Sequence, residues 1–144
     1  MIRPFDRQRD TERVLEIWLQ SNLDAHAFVP ADYWRAMAVP VREQLLRAEL
    51  WVDEDGGVIR GFAGMMGGYL AGLFVAAPFR SAGIGRDLLT HIKARRPAFT
   101  LQVYQQNRGA VRFYLREGLT VAAAGTDAET GQPELTMRWG SLTP

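Results

Sequence analysis

The chain of 144 residues contains no cysteine. That excludes disulfide staples, a thiol nucleophile and thiolate metal ligands, and it suits a reducing cytoplasm. Lysine is nearly missing as well: Lys93 stands alone, and the other positive charges are arginine. Charge of one sign is not in excess, since 17 basic and 16 acidic residues leave +1. No broad field therefore draws nucleic acid or a membrane, and no basic stripe runs along the chain. The opening residues Met1–Asp6 lack the apolar core of a secretion signal. One uncharged stretch, Phe62 to Phe79, is about long enough to cross a bilayer. It is interrupted by Gly64, Gly67, Gly68 and Gly72, and the Gly67-Gly68 pair reads as a turn between two buried strands. Cytoplasmic location, no membrane, no nucleic acid and no metal are the expectations.

What is present is a globular composition, 47% apolar, at a length that suits one domain over 1–144. Residues 2–5 read as a short strand. Asp10 can cap a helix to about Asn22, with Val14, Ile17 and Trp18 on its core face. His26 then falls in a loop. A second helical region covers 31–48, and Pro40 should kink or divide it. Strands follow at Leu50–Asp53 and Val58–Met66 around the turn Asp55-Gly56-Gly57. Tyr69–Ala76 is apolar on both faces, so it belongs at the centre of the sheet. A helix runs from Gly83 to about Arg95 with Ile84, Leu88 and Ile92 in one stripe, and His91 reads as solvated. Thr100–Tyr104 is a strand. Asn107 caps a helix that Gly118 stops. Leu119–Gly125 and Pro133–Trp139 are strands joined by the polar turn Asp127–Gln132. This order implies a mixed sheet covered by helices on both faces.

The most informative segment is Arg80-Ser81-Ala82-Gly83-Ile84-Gly85-Arg86, placed straight after the apolar run Leu73–Ala77. A strand, a tight turn and a helix start aim several backbone N–H groups and a helix dipole at one point. Such a point binds phosphate. Gly83 and Gly85 admit a bulky anion, and Arg80 and Arg86 add charge. A pyrophosphate-bearing cofactor is expected there.

With the later segment Asn107…Phe113-Tyr114-x-x-x-Gly118-Leu119, this turn and the order of elements resemble the GNAT N-acetyltransferases over the whole chain. Ile17-Trp18…Ser21…His26-x-Phe28…Tyr33-Trp34 resembles the small bacterial members assigned as peptidyl-lysine acetyltransferases. The resemblance implies a mostly antiparallel sheet of six or seven strands with about four helices, a three-layer α/β/α sandwich. It implies acetyl-CoA as co-substrate. Arg80 and the N–H groups of Ser81, Ala82, Gly83, Ile84, Gly85 and Arg86 would hold the pyrophosphate. Leu73, Phe74 and Val75 would pair with the pantetheine amides, and the N–H of Leu73 or Phe74 would polarise the thioester carbonyl. Asn107 would touch the pantetheine arm. Tyr114 would protonate the departing sulfur, a small uphill step from a phenol near 10 to a thiol near 8.5 in pKa.

One position departs from the family pattern. Many relatives carry an acid two positions before the Leu-Phe-Val run, and here stands Ala71. The acceptor amine, with pKa about 10.4, must lose its proton to something else. The candidates are His26, the Tyr69 hydroxyl or a water chain. Phe28, Tyr33, Trp34, Tyr69 and Tyr104 are expected on the acceptor side, where aromatic rings can hold an amine stem and its cation; Trp18 belongs to the core. The resulting expectation is transfer of an acetyl group to a protein lysine by direct attack in a ternary complex. A small amine such as a polyamine, amino acid or antibiotic is the alternative acceptor, and a non-catalytic acyl-CoA-binding module the alternative class. A monomer or homodimer is expected.

Overall fold

Period-two apolar runs and amphipathic segments alternate along the chain, and the turns between them set a single sheet. The computed structural model describes residues 1–140. Its elements are β1 (Ile2–Pro4), α1 (Thr11–Ala25), α2 (Ala31–Arg47), β2 (Glu49–Asp55), β3 (Val58–Met66), β4 (Tyr69–Val75), α3 (Ile84–Lys93), β5 (Ala98–Tyr104), α4 (Arg108–Arg116), β6 (Thr120–Thr126) and β7 (Pro133–Gly140). The strands lie in the order β1-β2-β3-β4-β5-β7-β6. Every neighbouring pair is antiparallel except β4 and β5. Helices α1 and α2 cover one face, where Val14, Ile17, Trp18 and Trp34 pack on Val52 and Phe62. Helices α3 and α4 cover the other, where Leu88, Leu89, Ile92 and Tyr114 pack on Met65, Phe99 and Met137. Each large side chain buried this way stabilises the fold by about 1.5–3 kcal/mol. The seven strands, four helices and three layers agree with the expectation. Phe62–Phe79 forms β3, a turn, β4 and a short 3-10 turn at Ala77–Phe79. Among the described residues no helix is long and apolar enough to cross a membrane.

The parallel pair creates the functional gap. Its register holds only Tyr69 against Thr100. Beyond that point β4 and β5 diverge, so the edge of β4 facing β5 keeps unpaired backbone groups. A bulge falls at the same place: Gly72 pairs with Gly64 and Leu70 with Met65, which leaves Ala71 out of the ladder. A Cβ at Gly72 beside it would stand 2.6 Å from the Phe74 ring, which would have to shift to admit it.

Four local expectations are corrected. Asp10 occupies the N-cap position of α1 without capping it, since Arg3 takes its carboxylate at 2.7 and 3.0 Å and the Asp6 N–H donates to it at 2.8 Å. Helix α1 continues to Ala25, past the expected end at Asn22, so His26 is the first residue of the loop and the C-cap of the helix. Pro40 does not divide α2. Pro40 and Ala36, whose carbonyl loses its helical donor, are both exposed, so water can serve that carbonyl. His91 is not solvated: its ring packs on Trp51 with centroids 5.2 Å apart, and its Nε2 is sealed without a partner.

Candidate active site

The gap between β4 and β5 opens into a cavity of about 1160 Å³. One end is the turn from Arg80 to Arg86, the other is lined by Tyr33, Trp34, Tyr104, Asp127, Glu129 and Glu134, and Leu73–Val75 and Tyr114 lie between.

At the basic end Gly83 is the residue before α3, with φ +84°, and a Cβ built there would meet nothing within 4 Å. The space beside this helix start is free of protein. Ser81 also has a positive φ, 66°, uncommon outside glycine. Two left-handed residues in three fold the backbone into a concave turn of N–H groups at the helix N-terminus, which suits a phosphate. This is the feature of the structure that fits a pyrophosphate-bearing co-substrate. Arg86 is exposed and reaches Glu117 at 3.5 Å. Arg80 is less free than expected: its Nε donates to the Val75 carbonyl at 3.1 Å and it pairs with Asp24 at 3.6 Å. That exposed pair is a weak restraint on its reaching an anion. Gly85 packs α3 against α4, because a methyl there would make ordinary contact with Phe113 and Leu73. Ala82 does not line the cavity.

In the middle, β4 decides which backbone groups face the gap. The Ala76 N–H donates to the Arg60 carbonyl on β3 at 2.8 Å. The two-residue period of a strand turns the Phe74 N–H toward β3 as well, and the Leu73 and Val75 N–H groups toward the gap. Of the two oxyanion donors expected, the geometry retains Leu73 and removes Phe74. The Phe74 ring packs instead on Phe62, centroids 5.4 Å apart.

Tyr114 is the buried residue of α4, and burial pushes its phenol well above the ordinary value. Its hydroxyl is not among the sealed, partnerless polar atoms, and the residue lines the cavity. It is a neutral phenol that can donate into the gap.

Asn107 caps α4: its Oδ1 accepts the Ala110 N–H at 3.2 Å. That choice directs its Nδ2 at His26 Nε2, 3.0 Å away. His26 Nε2 is then an acceptor, so Nδ1 carries the proton and donates to Asn22 Oδ1 at 2.9 Å. Asn22 Nδ2 in turn donates to the Trp18 carbonyl at 2.9 Å. This chain of bonds ties the start of α4 to the end of α1. Burial lowers the His26 pKa to about 4. A histidine with both nitrogens engaged and a pKa that low is not a base poised near neutrality, which corrects the expectation for His26. The Tyr69 hydroxyl donates to Gln102 at 3.3 Å, and burial raises its pKa, so it is a phenol at neutral pH.

At the acceptor end His26, Trp34 and Tyr104 form one aromatic group, with His26–Tyr104 and His26–Trp34 centroids 4.9 and 5.5 Å apart. Tyr33 stands edge-on to Trp34 at 4.9 Å. Phe28 does not line the cavity. It backs the rings of His26 and Tyr104 at 5.6 and 5.5 Å, which corrects its assignment to the substrate surface. Three carboxylates in this end, Asp127, Glu129 and Glu134, were not foreseen. The turn 127–132 reads as merely polar, and only the β5–β7 register brings it beside Tyr104.

Comparison with known proteins agrees with this architecture. Residues 47–120 match the family model described as an acetyltransferase (GNAT) domain. The chain is 37% identical to the peptidyl-lysine N-acetyltransferase YiaC of Escherichia coli over 96% of both chains. It is 32% identical to the peptidyl-lysine N-acetyltransferase YjaB of Escherichia coli over 88% of this chain and 87% of that one. The solution structure of apo YjaB superposes with a TM-score of 0.85, at 30% identity and over 98% of each chain. The PaiA N-acetyltransferase of Thermoplasma acidophilum, solved in complex with coenzyme A, shares the fold with a TM-score of 0.80 at 19% identity and over 98% of each chain. The chain belongs to the GNAT acetyltransferase family and is an acetyl-CoA-dependent N-acetyltransferase.

Proposed function

We propose that this enzyme acetylates the side-chain amine of lysine in proteins, at the cavity between β4 and β5. The observation that carries the reading is the polarity of that cavity: a phosphate-suited turn at one end, an aromatic and acidic wall at the other, and an inward N–H between. The likeness to two peptidyl-lysine N-acetyltransferases supports a protein acceptor.

When bound, acetyl-CoA supplies an acetyl group on a thioester. The N–H groups of Ser81, Gly83, Ile84, Gly85 and Arg86 hold the pyrophosphate, with the Arg86 side chain and a released Arg80 beside them. The Leu73 and Val75 N–H groups face the extended arm, and Leu73 donates to the carbonyl oxygen on which negative charge develops. Asn107, held by His26, presents its remaining amide hydrogen to the same arm. Tyr114 holds a proton for the sulfur as it leaves. Burial raises the phenol, and the same surroundings disfavour a thiolate, so the transfer stays a modest step. Tyr33, Trp34 and Tyr104 receive the aliphatic stem and its ammonium group.

The acidic wall also suits a second acceptor class, a free polyamine. The two are separated by kcat/KM for a lysine peptide with basic flanks against that for a free polyamine. A higher value for the peptide is expected. A polyamine preferred by tenfold or more contradicts the protein-lysine reading.

A further inference from the structure

Four carboxylates line the cavity among the described residues: Glu117, Asp127, Glu129 and Glu134. Glu117 is held at the basic end by Arg86 and Arg116, 3.5 and 3.8 Å away. Asp127 accepts the Tyr104 hydroxyl at 2.5 Å and the Glu129 N–H at 2.9 Å. Burial works against its charged form, but these bonds prevail and lower its pKa. Glu129 is exposed and stands at the Tyr33 hydroxyl. Glu134 has no hydrogen-bond or ion-pair partner among the described residues.

Glu134 is placed by the sheet itself. It pairs with Tyr104 on β5 and with Gly125 on β6. Cross-strand partners share a face, so Glu134 stands beside the Tyr104 ring on the α1–α2 side, and Gly125 adds no side chain there. Around it stand Tyr104 from β5, Tyr69 from β4 and Asp127 from the β6–β7 turn, and Tyr33 from α2 and Glu129 from that turn line the same cavity. The cavity's arginines stand elsewhere: Arg80 in the turn before α3, Arg86 in the first turn of α3 and Arg116 at the end of α4.

We infer that Glu134, on β7, is the proton acceptor for the substrate ammonium, replacing the carboxylate that Ala71 leaves missing on β4. The inference rests on the acetyl-transfer reading above. Burial and the neighbouring Asp127 charge raise the Glu134 carboxyl above the ordinary glutamate range, which makes it a stronger base. The ammonium gives one proton to Glu134, which passes it to water. The neutral nitrogen then forms the C–N bond while the C–S bond breaks. The second nitrogen proton neutralises the departing sulfur by way of Tyr114. One proton is released, and charge balances.

The test is the pH profile of kcat/KM for a lysine peptide, in wild type and Glu134→Gln. With Glu134 as acceptor, wild type binds the cationic amine and the profile is flat between the Glu134 carboxyl and the amine. Glu134→Gln must wait for the free amine, so its rate should rise about tenfold per pH unit toward about pH 10.4. At pH 7 the loss should be about 10²- to 10⁴-fold. Thermal stabilisation by acetyl-CoA should match wild type, showing an intact fold. Should the variant not fold, carbon NMR of the wild-type Glu134 carboxyl decides. Adding the peptide to the protein with CoA should lower its pKa, and no change overturns the inference. Equal rates and equal profile shapes in the two proteins overturn the Glu134 assignment alone. A wild type that acetylates neither peptide nor polyamine overturns the reading beneath it.

Discussion

Tyr114→Phe is expected to lower turnover by about 10- to 10⁴-fold, the range for loss of a general acid. Acetyl-CoA binding should be nearly unchanged, because the ring of Tyr114 is packed in the core under α4 and phenylalanine keeps that packing. The effect should fall on kcat, since the proton is needed only as the sulfur leaves. A substrate whose leaving thiol is more acidic should recover part of the rate. Wild-type turnover in this variant would show that water protonates the sulfur and that the hydroxyl is structural.

His26 should contribute to the loss of stability on the acid side of the curve. Its pKa falls from 6.5 to about 4 on folding because burial opposes the charged ring. The unfolded chain takes the proton near 6.5, and the native protein refuses it until about 4. The neutral ring therefore contributes full stability above pH 6.5, and that contribution is lost as the pH falls toward 4. The difference corresponds to about 3 kcal/mol, on the order of 10 °C in Tm for a domain of this size. His26→Gln has no proton to gain, so its Tm should decline less over the same range. Protonation would also place a donor against the Asn107 amide, so the hold on the start of α4 should weaken together with stability. Equal declines in the two proteins would mean that His26 titrates normally.

The features legible in the sequence are those decided by neighbours along the chain. The turn at Asp55–Gly57, the Asn107 cap, the Gly83 helix start and the stripe of Ile84, Leu88 and Ile92 all depend on a few adjacent residues. Where long-range contacts decide, the sequence was silent or misleading. Asp10 has the chemistry of a cap, yet Arg3 on β1 takes its carboxylate. Pro40 has the chemistry of a break, yet a solvent-facing position tolerates it within α2. His26 has the chemistry of a base, yet Asn22, four residues before it, and Asn107, on another element, engage both ring nitrogens. Glu134 sits at the start of a strand whose partner is known only once β7 inserts between β5 and β6. The choice between the N–H of Leu73 and that of Phe74 as oxyanion donor depends on the pairing of β4 with β3, which adjacent residues do not reveal. The glycine turn shows its anion-binding chemistry in its own residues, the role of Tyr114 follows from the family resemblance, and the structure adds the free space beside Gly83 and the burial of Tyr114.

The central claim is that the turn before α3 holds the co-substrate, and thermal unfolding with acetyl-CoA tests it most directly. A ligand that binds only the native state at about a thousand times its Kd should stabilise wild type by about 4 kcal/mol. In Gly83→Val a branched side chain would fill the space now open beside the helix start and strain a backbone held at φ +84°. That variant should be less stable than wild type on its own and show no further shift with acetyl-CoA. A wild-type Tm that does not move with saturating acetyl-CoA, or a Gly83→Val protein that shifts as far as wild type, would contradict the account.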